Sequence, residues 1–179
     1  MNIFVVDKDP RVAARSLCDQ HVVKMLIENC QMLSAVLDVT YSDKHRGDGG
    51  DPHVCLGLAN YPKSVRKHPC TLWLMESINN VKWLITHHRE MLMEYTRRYK
   101  KMHKYGGTPM IYEAQLKYTD LPAVKRTPFV NANTNFKHIE DTVEAYRTCY
   151  NLEKSKFARY KYTMPPAWFM PVSYTHLRA

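Results

Sequence analysis

The stretch from Asp19 to Leu33, DQHVVKMLIENCQML, carries the residues best suited to chemistry. His21, Lys24, Glu28 and Gln31 follow one another at steps of three, four and three, which on a helix makes one polar line. Val22, Leu26, Cys30, Leu33 and Leu37 form an apolar face of the same helix. Val23 and Ile27 widen it, so the helix is expected to be largely buried. A carboxylate partly shielded from water, with a cation one turn before it, can serve as a general acid or base. Glu28, Lys24 and His21 are therefore candidate catalytic residues. The plain alternative is a solvated helix edge with a Lys24–Glu28 pair, worth only about 0.3 kcal/mol.

Other residues have two readings each. His68, followed by Pro69 and Trp73, either opens a helix or faces the site beside Glu28. Asn79 and Asn80 sit mid-helix, where asparagine is a poor former. One of them binds substrate, or a buried hydrogen bond joins two helices. The five cysteines, Cys18, Cys30, Cys55, Cys70 and Cys149, are odd in number and include no C-x-x-C. They read as structural thiols rather than a disulfide framework. Cys18 with His21, His53 with Cys55, and His68 with Cys70 match no standard zinc-ligand pair. The H-x-E plus P-C-x-x-C signature of nucleobase deaminases is missing. Neither a metal nor a cofactor is expected.

The elements that must position these residues are helical. A chain of 179 residues, 45% apolar, fits one domain with a real core. Met1–Val6 is short and β-branched and reads as extended. Asp9-Pro10 starts a helix that runs to about Leu37, with a break near Ser16–Asp19. Tyr41–Lys67 holds four glycines and two prolines and reads as a long loop. His68-Pro69 starts a second helix of about 30 residues, carried by Leu74, Ile78, Val81, Ile85, His88, Leu92, Tyr95 and Tyr99, which ends before Gly106-Gly107. Pro109–Lys117 reads as a short helix, residues 120–138 as loop, and Thr142 as the cap of a last helix reaching about Ala158. The fold class is mainly α, a single helical domain over residues 1–169 with long loops. The closing Val172–Ala179 resembles library-derived sequence that recurs in translated metagenomic reads, so residues 170–179 are expected to be non-native.

Lysine and arginine number 26 against 17 acids, a net charge of +9. A small domain this basic meets polyanions, nucleic acid first among them. Residues 63–104 carry 10 basic and 3 acidic side chains, whereas residues 1–62 carry 6 and 8. The excess therefore marks a face. Arg66, Lys67, His68, Arg97, Arg98, Lys100, Lys101, Lys104, Arg159 and Tyr160 are the expected nucleic-acid contacts, either as such or as a solvated face. The aromatic stretch Tyr160, Tyr162 and Trp168 either stacks on an unpaired base or docks on the core. The longest apolar run is far short of a bilayer span and no signal-peptide pattern opens the chain, so a soluble, cytoplasmic protein without membrane contact is expected.

Two resemblances add to this. The opening MNIFV with DKDP, together with CDQHVVKM (18–25), HPCTLW (68–73), EYTRRY (94–99), KSKFARY (154–160) and PAWF (166–169), resembles a family of small tailed-phage proteins. That likeness supplies no chemistry and implies a host-cell cytoplasmic location. The helix carrying Asp19-Gln20-His21, with Glu28 seven residues after His21, resembles that of the phage pyrimidine-dimer DNA glycosylases of the endonuclease V type. Pro69, the long helix and its basic end at Arg97, Arg98, Lys100 and Lys101 are similar too, and the tail from Arg159 to Trp168 is similar in type. Ile27 stands where that family has an arginine.

The resemblance implies that an N-terminal α-amine attacks the sugar C1′ and forms a Schiff base, with Glu28 assisting ring opening and β-elimination. An α-amine titrates near about 8 and is a usable nucleophile at neutral pH. Asn2 follows Met1, and initiator methionine leaves slowly before a side chain of that size, so the amine is expected on Met1, extended by one residue. Lys24 is a substitute amine only if burial disfavours its charged form. The expected function is a DNA glycosylase, with or without lyase activity, for a damaged or modified pyrimidine in double-stranded DNA, acting as a monomer. A hydrolase using Glu28 to activate water, an enzyme of phage base hypermodification and a non-catalytic DNA-binding accessory protein are the alternatives.

Overall fold

A computed structural model describes residues 2–42 and 59–170. Six α-helices form the framework: α1 Pro10–Arg15, α2 Asp19–Thr40, α3 Pro69–Met75, α4 Ile78–Tyr99, α5 Thr108–Gln115 and α6 Thr142–Leu152. Short 3-10 turns at Lys63–Lys67, Leu116–Tyr118, Thr134–Phe136 and Lys154–Lys156 link them. Among the described residues there is no β-strand, and the fold is mainly helical as expected. Among the same residues no helix is long and apolar enough to cross a membrane.

The helix boundaries follow local chemistry. Asp9 caps α1 by accepting from Arg11 and Val12, with Pro10 at the first helical position. The expected break falls at Ser16–Cys18, after which α2 runs to Thr40. The single long second helix is instead two. Ser77 adopts an extended backbone, accepts from Asn79 N, and restarts the chain as α4 (Ile78–Tyr99) after α3. The apolar series stays in step across this interruption, which is why periodicity alone does not reveal it. α4 ends at Lys100, whose φ of 56° places it in the left-handed region. The last helix is shorter than expected and its cap is Asp141, not Thr142. Asp141 accepts from Val143 and Glu144, and α6 ends at Leu152.

α2 and α4 pack together at the centre, with α1 and α3 against them. Val22, Leu26, Cys30, Leu33 and Leu37 are buried as their spacing requires. Val23 and Ile27 are corrections: both are 37% exposed. Asn79 and Asn80 take the structural role. Asn80 donates to Trp73 O (2.6 Å) and Thr127 Oγ1 (2.7 Å), and Asn79 donates to Val124 O (2.6 Å), so both hold the 122–127 loop.

The N-terminal segment is no strand. Ile3, Phe4, Val5 and Val6 are all buried, and Phe4 has φ 51°. A left-handed turn at a non-glycine residue costs roughly 1–2 kcal/mol. The Phe4 ring offsets this by stacking on His21 (4.4 Å between centroids) and meeting Tyr150 edge-on (5.6 Å).

Candidate active site

Glu28 lies on α2 with 9% of its surface exposed. Its Oε2 accepts the Asn2 backbone N–H at 2.9 Å, and Lys24 Nζ stands 3.6 Å from Oε1. The bend at Phe4 brings the start of the chain to this carboxylate. Asn2 is fixed by its own side chain: Oδ1 accepts from Ile3 N (2.8 Å) and from the Tyr146 hydroxyl (2.6 Å). Ala132 N in turn donates to the Tyr146 oxygen at 3.2 Å. The placement of Met1 lies outside the described residues.

His21 is turned inward rather than along a solvent line. It is 5% exposed, stacks on Phe4, and shares a hydrogen bond between Nδ1 and the Tyr150 hydroxyl. Burial, helped by Lys154 and Lys24, lowers its pKa to about 3, so the ring is neutral at physiological pH. It supports the N-terminal segment from below. Lys24 is the reverse case. Its side chain is 68% exposed, so the burial required of a substitute amine is missing.

The other two residues of the DQH triplet bind the tail. Asp19 accepts from Lys161 N (2.7 Å) and Arg98 Nη1 (3.1 Å), and Gln20 Oε1 accepts from Arg159 N (3.1 Å). Arg98 is a correction among the expected DNA contacts. Its side chain has 0% exposure and donates to Asp19, Glu94, Leu17 O and Arg15 O. A guanidinium sealed between two carboxylates cannot reach a phosphate. Tyr160 also docks: its hydroxyl donates to Ser16 O (3.0 Å) and its ring meets Phe169. Trp168 packs edge-on against Tyr150.

The remaining basic residues divide into paired and exposed. Arg97 donates to Glu94 Oε1 at 2.9 Å, and Arg66 is bound to Asp38 and Tyr61. Lys67, Lys100, Lys101, Lys104 and Arg159 are exposed. His68 is half-buried as the N-cap of α3, with Nδ1 accepting from Cys70 N at 3.2 Å. Burial pushes the Cys70 thiol up to about 12 and those of Cys30 and Cys149 to about 11, so these thiols stay protonated at neutral pH. Cys18, Cys30, Cys70 and Cys149 are free and buried. Among the described residues no group of three histidines, cysteines or acids is placed to hold a metal. Cys55, His53 and the expected non-native tail from residue 171 onward lie outside the described residues.

Tyr146 and Tyr150, which bond Asn2 and His21, are candidates that the sequence does not single out. Their spacing of one helical turn is visible, yet only the fold shows that they meet residues near the N-terminus, more than 120 positions away in sequence.

A family model described as pyrimidine dimer DNA glycosylase matches residues 1–105. No curated protein matches the chain, and no solved structure does. The matched residues include Asn2, His21, Lys24 and Glu28, and they end beyond α4.

Proposed function

The chain belongs to the pyrimidine dimer DNA glycosylase family, and from that premise we propose that it removes a damaged or modified pyrimidine from double-stranded DNA through its N-terminal amine and Glu28. Membership gives the general type of function, a DNA glycosylase acting on DNA. The observation that supports the finer reading is the 2.9 Å contact between Asn2 N and Glu28 Oε2. In a chain that keeps Met1, the attacking amine is one residue out from this nitrogen. In a processed chain it is the nitrogen itself.

The chemistry follows from that placement. An α-amine titrating near about 8 is partly neutral at physiological pH and can attack the sugar C1′ as the base departs. Glu28, shielded but not sealed, then takes and returns the protons that iminium formation and ring opening require. Holding amine and carboxylate together lowers the entropic part of the barrier. β-Elimination from the resulting Schiff base would give the lyase activity. Exposed Lys24 beside Glu28, and Lys67, Lys100, Lys101, Lys104 and Arg159, are the residues we assign to phosphate contact. His21 acts in this reading by supporting the N-terminal segment. The likeness of MNIFV and CDQHVVKM to small tailed-phage proteins supports a phage origin.

Borohydride trapping on abasic and ultraviolet-irradiated duplexes tests the reading. Wild type is expected to form a covalent adduct at its first residue, located by mass spectrometry. Glu28→Gln is expected to lower product formation by at least a hundredfold while DNA affinity stays near wild type. Base release without trapping would replace the amine with activated water, and an active Glu28→Gln variant would remove the carboxylate from the mechanism.

A further inference from the structure

We infer that Tyr146 of α6 is a positioning residue for the reaction: its hydroxyl holds the Asn2 side chain and thereby seats the start of the chain against Glu28. The inference rests on the reading just given. It goes further by assigning part of the site to residues beyond 105, where the family match ends.

The geometry is specific. Tyr146 is fully buried, so its hydroxyl needs a partner inside the protein. It donates at 2.6 Å to Asn2 Oδ1, while its oxygen accepts from Ala132 N at 3.2 Å. The same Asn2 oxygen accepts from Ile3 N at 2.8 Å. One side-chain carbonyl is thus gripped from α6 and from the following backbone, which leaves the Asn2 nitrogen aimed at Glu28. The Tyr146 ring also meets Phe4 edge-on at 5.8 Å, next to the residue whose left-handed turn bends the segment.

Chain starts fray unless something ties them down. Here the ties come from α2 through Glu28, from α6 through Tyr146, and from Arg147, which donates to Val6 O at 2.9 Å. Of these, the Tyr146 hydroxyl is the one that grips the side chain of residue 2. Its removal leaves Asn2 Oδ1 with the adjacent N–H groups of Ile3 and Phe4 and the long contact to Cys70 Sγ (4.0 Å), which tie it less firmly to the rest of the fold, and lets the chain start sample positions away from the carboxylate. Reaction then proceeds from the seated fraction alone, and the rate falls to that fraction of its full value.

Tyr146→Phe tests this, since it keeps the buried ring and deletes the hydroxyl. Two readouts are needed, one of which requires no activity. In free protein, the pH dependence of acylation at the first residue is followed by mass spectrometry. On abasic duplex, the single-turnover trapping rate is measured beside DNA affinity. Tyr146→Phe is expected to trap about tenfold more slowly with unchanged affinity, and its first residue is expected to be acylated faster than wild type across the pH range as the seating loosens. Tyr112→Phe is the control. It deletes another buried hydroxyl, bonded to Cys30 O at 3.1 Å, and should leave both readouts at wild type. Wild-type acylation and trapping in Tyr146→Phe, or equal losses in the two variants, would overturn the inference. A wild type that forms no adduct would sink the amine-based reading instead, and the acylation comparison would still decide for or against Tyr146.

Discussion

Mild acid should strip this protein of much of its stability before ordinary carboxylates begin to titrate. His21, His87 and His88 are 5%, 0% and 0% exposed, and burial lowers each pKa to about 3. His88 is held down further by neighbouring His87 and His103, and it shares polar contacts with Cys30 Sγ (3.5 Å) and Thr108 Oγ1 (3.0 Å). His87 stacks on Trp83 and meets the Asn29 amide at 3.4 Å. In the unfolded chain each ring titrates near about 6.5. A folded value depressed below the unfolded one means that protons favour the unfolded state. The stability is therefore complete above about pH 7 and is lost as pH falls toward about 3.

At pH 5 each ring that must stay neutral costs about 2 kcal/mol, from a shift of some 1.5 pH units at about 1.36 kcal/mol each. The three together remove roughly 6 kcal/mol, of the order of half a typical domain's stability. Urea unfolding at pH 7.5, 6 and 5 measures this, with an unchanged slope in denaturant as the check on two-state behaviour. Ordinary carboxylates titrate near about 4, below this window. Replacing His87 by Phe should flatten the pH dependence by about one third whatever it does to stability at pH 7.5. A stability that differs by less than about 1 kcal/mol between pH 7.5 and 5 would refute the reasoning, as would ring-nitrogen resonances showing any of the three charged in the folded state at pH 5.

Two further outcomes follow from the charges. Arg98→Met should destabilise by about 3–5 kcal/mol in urea, because it leaves Asp19 buried without its cation and Glu94 with Arg97 alone, and a loss below about 1 kcal/mol would contradict the buried network. The combined change of Lys100, Lys101 and Lys104 to Ala should leave stability within about 0.5 kcal/mol of wild type while lowering the salt dependence of DNA binding by up to about three units in log–log slope, read by fluorescence anisotropy.

What the sequence reveals of this fold is what short-range chemistry sets. The Asp9-Pro10 and His68-Pro69 starts, the break near Ser16 and the buried row Val22–Leu37 need only neighbours within a turn or two. The restart at Ser77 is hidden because the apolar rhythm continues through it. The exposure of Val23 and Ile27 depends on which part of α2 the N-terminal segment and α3 leave uncovered. Arg98 looks identical in sequence to Arg97, yet Asp19 lies over one and solvent over the other. The pairing of Glu28 with Lys24 was legible from their spacing of one turn. The hold on Asn2 was not, since Tyr146 stands 144 positions away.

That separation also bears on how the protein comes into being. Asn2 binds Tyr146, Val6 binds Arg147, Asp19 and Gln20 bind residues 159–161. Residues 2–20 are made well before residues 146–161 and are thus among the last to find their places. Until α6 is made, Phe4 lacks its contacts with Tyr146 and Tyr150 and the Val6 carbonyl lacks Arg147, so this apolar run is less completely covered. Distant closures of this kind slow folding, because the chain must meet their entropy before it gains their contacts. They also act as a proof of completeness: a nascent or truncated chain lacking α6 has no Tyr146 for the Asn2 side chain and no Arg147 for the Val6 carbonyl.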